Sequence, residues 1–171
     1  PLPLPMEDGP PPPDGAGYRV FALPLESPSF GPRTLLTDPA DATASPFGWH
    51  DTNGAPGAEY TITRGNNVYA SDDIDNNDQP GYSPDGGATL NFDFPLAVPG
   101  TPVQNLDAAV TNLFYMCNIL HDIWYQYGFD EESGNFQATN YGGAGEGEDE
   151  VLADAQDGGG LNNANFGTPP N

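Results

Sequence analysis

Asp107–Tyr127, reading DAAVTNLFYMCNILHDIWYQY, is the stretch on which the fold turns, because it runs without glycine or proline until Gly128. Val110, Phe114, Cys117, His121 and Trp124 recur at spacings of four and three, and Leu113, Leu120 and Tyr127 widen the stripe. That is the period of an amphipathic helix. Asp107 is placed to cap the first free amides, and Gly128 to take the left-handed position that ends a helix. At about 1.5 Å per residue the helix would run roughly 30 Å. An apolar face so wide has to be covered by a sheet or another helix, so the helix is expected to be buried.

Working outward, short β-prone runs flank this helix on both sides. Upstream are Tyr18–Leu23, closed by Pro24, then Thr34–Thr37, closed by Asp38-Pro39. Glu59–Arg64 alternates as a half-buried strand does, and Gly65-Asn66 is turn chemistry that would let Asn66–Ala70 extend or pair with it. Leu90, Phe92 and Phe94 share one face of a period-two run. Downstream are Asn135–Tyr141 and Glu150–Ala155. The expected class is therefore α+β: short antiparallel β units with one long buried helix at about 107–127, rich in loops. Residues 1–16, PLPLPMEDGPPPPDGA, read as a semi-rigid proline-rich linker or tail, and 17–171 as the folded part.

Composition bounds the chemistry. The 171 residues carry a formal charge of -22, with no lysine and only Arg19, Arg33 and Arg64 as cations. Nucleic acid needs cations to displace its counterions, so nucleic-acid binding is excluded, and anionic membrane surfaces are disfavoured for the same reason. No apolar run approaches the roughly 20 residues that span a bilayer. The 22 glycines and 20 prolines, about a quarter of the chain, mark long loops, while 11% aromatic residues supply a core. The start at Pro1, without an initiating methionine or signal peptide, reads as a processed or truncated product. The acidity fits an extracellular surface or bound calcium.

Few residues carry chemistry. His50 and His121 are the only histidines, no H-E-x-x-H is present, and His121 reads as a core histidine bonded through its ring nitrogens. Cys117 stands alone in an apolar stripe and reads as a buried free thiol. Asp72, Asp73, Asp75 and Asp78 place oxygen ligands in one loop, as calcium sites do, but without the turn glycine and terminal glutamate of an EF-hand. Glu146, Glu148, Asp149 and Glu150, with Asp154 and Asp157 nearby, form a second acidic cluster. For both clusters a solvated loop is the competing reading.

In chain order, the blocks RTLLTDP (33–39), ASPFGWH (44–50), TRGNN (63–67), LNFDFP (90–95), NLFY (112–115), HDIWYQYGF (121–129), GNFQ (134–137), AQDG (155–158) and NNANFGTPP (162–170) can be read off the sequence. Together they resemble the fungalysin-type secreted zinc metalloendopeptidases, a branch of the thermolysin-like proteases. The resemblance implies the leading part of a mature protease domain, with the zinc-binding H-E-x-x-H helix and its glutamate ligand downstream of this chain. It also implies that Asn163 and Ala164 form an edge that holds peptide substrate in extended form. No catalytic residue and no zinc ligand is assigned within these residues.

Two functions follow as expectations. The chain is the amino-terminal portion of a secreted, extracellular zinc metalloendopeptidase, inactive alone, with the rest of the protease domain and peptide substrate as partners. Alternatively it is a non-catalytic extracellular assembly domain derived from such a protease, calcium-stabilised and able to self-associate. A carbohydrate- or ligand-binding β module using Trp49 and the tyrosines is a third reading.

Overall fold

The computed structural model describes residues 14–25 and 28–168. Most of the expected proline-rich linker lies outside the described residues. Its last residues already belong to the fold: Ala16 is buried and the Gly15 amide donates to Asp38.

The helix α1 spans Leu106–Gln126. A three-residue 3-10 turn, Val103–Asn105, leads into it, so Asp107 sits inside the first turn and caps no amide with its side chain. Its carboxylate instead accepts from the Tyr82 hydroxyl at 2.9 Å, close to the positive end of the helix dipole. The other end is as expected. Gly128 takes φ 91°, and the amides of Gly128 and Phe129 return to the carbonyls of Tyr125 and Trp124. This bond pair terminates a helix at a left-handed residue.

Five short strands surround α1: β1 (Gly17–Val20), β2 (Thr34–Thr37), β3 (Val68–Asp72), β4 (Asn91–Phe92) and β5 (Val151–Ala155). One sheet has the order β2-β1-β4 and a second pairs β3 with β5. The α+β class holds, but the pairing is mixed. Only β1–β2 is antiparallel, whereas β1–β4 and β3–β5 are parallel. Parallel strands need a long crossover, and here α1 lies in the connection from β3 to β5. Strand neighbours so far apart in sequence leave no hairpin signal to read.

Two expected strands are absent as strands. Glu59–Arg64 contributes isolated bridges, Ile62 to Asp85 and Arg64 to Tyr69. Its turn works as expected, since Ala70 donates back to Thr63 across Gly65-Asn66. Asn135–Tyr141 runs as loop because the Asn66 side chain pairs with it in place of a strand, accepting from the Thr139 amide and donating to the Thr139 carbonyl.

α1 packs on β1, β3 and β5. The core between them is a stack of rings: Tyr18 on Phe92 at 5.3 Å, His50 on Phe92 at 5.1 Å and His50 on Phe114 at 4.9 Å. Trp49 closes it edge-on to Phe114. Gly65 lies directly beneath this tryptophan, and a Cβ there would overlap the Trp49 carbonyl oxygen. Gly65→Ala is accordingly expected to destabilise the fold by about 2 kcal/mol, read as a lower urea midpoint at unchanged slope.

The buried part of α1 is narrower than its apolar composition suggests. Val110, Thr111, Phe114, Tyr115, Asn118 and Asp122 are buried, while Leu120, Trp124 and Tyr127 of the expected stripe are open. The two small sheets are too short to cover more than one side.

Candidate functional site

Where α1 leaves the sheets, its inward face turns polar, and one carboxylate organises the surroundings. Asp122, 2% exposed, accepts from four donors. They are the Asp41 amide at 2.9 Å, the Ser45 hydroxyl at 2.7 Å, the Trp49 indole at 2.9 Å and His121 Nδ1 at 3.0 Å. A carboxylate has about four lone-pair sites, so this one is full. The Asn67 amide links Ser45 to Asn118, which donates to the Phe114 carbonyl one turn back. A polar seam thus runs from the loop at Ser45 into the helix.

His121 is held at both nitrogens, as expected: Nδ1–H donates to Asp122 and Nε2 accepts from the Asn135 amide at 3.2 Å. Asn135 in turn donates to Gln137, and both are buried. His50 is fully buried in the ring stack and donates Nδ1–H to the Arg64 carbonyl at 3.0 Å. Burial lowers its pKa to about 4, so the imidazole is neutral at pH 7. Cys117 is half-buried, and burial pushes its thiol up to about 11, away from the thiolate a nucleophile or metal ligand needs. His50 Nε2 has no partner but is fully buried, both His121 nitrogens are engaged, and Cys117 stays a thiol, so none of the three presents an open site of the kind a zinc ligand needs.

The three arginines are engaged inside the fold. Arg19 forms a two-point pair with Asp93 at 2.8 and 2.9 Å, and Arg33 donates to the carbonyls of Arg19 and Phe94. Arg64 lies over the rings of Tyr60 and Tyr69, 3.8 Å from Glu150.

The four candidate calcium ligands do not converge. Asp73 turns inward and accepts from the amides of Asn77 and Asp78; Asp72 accepts from the Tyr82 amide, and Asp75 from the Asn77 side chain. Asp78 holds a turn at φ 54°. The parallel β3–β5 pairing does bring the second acidic cluster alongside: the Gly158 amide donates to the Asp73 carbonyl. Asp154 has its pKa raised by burial and then by the charges of Asp73, Asp157 and Asp78. Among the described residues no group of three or more His, Cys, Asp or Glu side chains is placed to hold a metal ion.

Residues 161–168 are exposed throughout and adopt neither helix nor strand. Asn163 and Ala164 lie in this open run, not in an interior turn. Phe166 touches Phe136, which packs edge-on to Phe129 just beyond α1. A separate open depression of about 340 Å³ lies between Pro39–Ala42 and the α1 residues Ile119, Asp122, Ile123 and Gln126; Asn163 and Ala164 do not line it.

Comparison with known proteins gives this arrangement its context. The fungalysin metallopeptidase (M36) family description matches residues 17–171. The chain belongs to this family. Among its relatives is the extracellular metalloproteinase mep of Aspergillus flavus, 44% identical over 158 residues, which are 91% of this chain and 24% of that protein. A probable extracellular metalloproteinase 2 of Arthroderma benhamiae is 45% identical over 159 residues, again 91% and 24%. Extracellular metalloproteinase 5 of Trichophyton tonsurans is 41% identical over 161 residues, covering 91% and 25%. The chain therefore spans about a quarter of the length of the relatives it matches.

Of the site residues, sequence reasoning singled out His121 and missed its neighbour Asp122, the actual hub. A signal was present: Thr111, Asn118 and Asp122 lie seven and four apart, a polar line on one face of an otherwise apolar helix.

Proposed function

We propose that this fungalysin-family chain forms one flank of the peptide cleft of a secreted zinc metalloendopeptidase of thermolysin-like type, and that the zinc ligands reside on polypeptide outside these 171 residues. What carries the reading is the solvent-exposed run at 161–168, which belongs to no helix or strand, in a family member with no side-chain set fit for zinc among its described residues. An exposed segment outside every strand is free to meet the main chain of a peptide by strand addition. Asn163 would bind the substrate backbone through its amide, and Ala164 would leave room for a side chain. Zinc, when bound by the rest of the enzyme, polarises the scissile carbonyl and activates water. This chain's own share is to position substrate, and no catalytic step is assigned to it.

The test is the intact secreted protein that carries this chain. It is expected to bind one zinc through an H-E-x-x-H segment and to cleave peptides. Asn163→Ala should lower kcat/KM about tenfold, as expected for losing one substrate hydrogen bond, without moving zinc content. An intact gene product lacking that motif would overturn the reading in favour of a non-catalytic extracellular assembly domain. In either reading calcium would draw on the carboxylate oxygens of the Asp72–Asp78 loop, where Asp73 already accepts from two amides. A rise in unfolding temperature with added calcium is the measurement that would place it there.

A further inference from the structure

The apolar surface of α1 continues past the sheets it packs on. Leu113, Met116, Leu120, Ile123 and Tyr127 recur at alternating spacings of three and four. Leu113 and Met116 are half-buried at the core's edge. Leu120, Ile123 and Tyr127 stand open at 42%, 36% and 81% exposure, and Trp124 between them at 56%. A helix apolar on both sides belongs to the interior of a larger body than two small sheets provide. Alternating three-four spacing is the seam that a second helix fills with its own side chains.

We infer that this second face of α1 is the seat of a helix from the zinc-bearing polypeptide of the same protease, an inference that rests on the function proposed above. The chain supplies about a quarter of the length of its relatives, so there is polypeptide to occupy the face. The last described residues lead towards it, since Phe166, Phe136 and Phe129 form a ladder of rings ending just past the helix terminus. The depression walled by Ile119 and Ile123 adjoins the seam and offers room for a large side chain. Charge argues against a second copy as occupant: each copy carries -22, and all three of its arginines are engaged within the fold. The docking helix would instead carry lysine or arginine beside its apolar stripe, facing Asp130 and Glu132 at the end of α1.

Photo-crosslinking in the intact secreted protein tests this. Trp124→p-benzoylphenylalanine is irradiated and the joined peptides are sequenced by mass spectrometry, with the same probe at Gln79 in the acidic loop as control. Position 124 is expected to join a segment outside these 171 residues whose apolar residues recur at three and four, and the control to lose that link. A link to residues 1–13, a link between two copies, or no link at all would overturn the inference. Leu120→p-benzoylphenylalanine is the second probe if the first variant melts early by circular dichroism. The two readings fail separately. A link to such a helix in a protein without zinc overturns the protease reading and leaves the helix seat standing. Zinc and cleavage without the link overturn the seat and leave the protease.

Discussion

Asp122→Ala is expected to destabilise the fold by about 3–5 kcal/mol, because it strands several buried donors at once. The Trp49 indole, the Ser45 hydroxyl and the Asp41 amide all donate to this carboxylate. His121 would lose its orienting partner in the same step. Trp49→Phe keeps the ring in the core and removes one donor, so it should lose only about 1 kcal/mol. Urea unfolding followed by tryptophan fluorescence reads the first variant and far-ultraviolet circular dichroism both. An Asp122→Ala midpoint close to wild type would show that the seam between the Ser45 loop and α1 does not hold the structure.

The second large effect is a dependence on pH. His50 titrates near 6.5 when unfolded and near 4 in the ring stack, where burial disfavours the charged imidazolium. Between those values the unfolded chain binds the extra proton, so stability is present above pH 6.5 and is lost as pH falls towards 4. The full difference is about 3 kcal/mol. Asp14, Asp51 and Asp154 act in the opposite sense, since burial raises each carboxyl and favours its protonated form in the fold. His50→Phe separates the contributions, because it removes one titration and leaves the acids in place. The wild type should lose stability relative to this variant steadily from pH 6.5 to 4. Parallel curves for the two proteins would show that His50 is solvated and not stacked.

What was legible in the sequence follows the range of the interactions involved. The helix could be read because its period and its Gly128 stop are local. The strands Thr34–Thr37 and Glu150–Ala155 could be read for the same reason. Asn135–Tyr141 read as a short strand among loops. Its backbone bonds to the Asn66 side chain and carbonyl and to Glu148 and Asp149, partners that no local pattern encodes. The acidic loop showed oxygen ligands at alternate positions, yet amides of the same loop reach Asp73 first.

By itself the sequence determined the α+β class, the long helix and a surface hostile to polyanions, because each rests on composition or on short-range periodicity, and its ordered blocks carried the resemblance to the family. Only the tertiary structure decided which side of the helix is covered and which carboxylate its buried end is built around. It also decided that β3 and β5 run parallel. The physical reason is that a helix apolar on two sides carries no mark of which side meets a sheet. That choice is made by strands that converge from far along the chain, and here they cover one side and leave the other open.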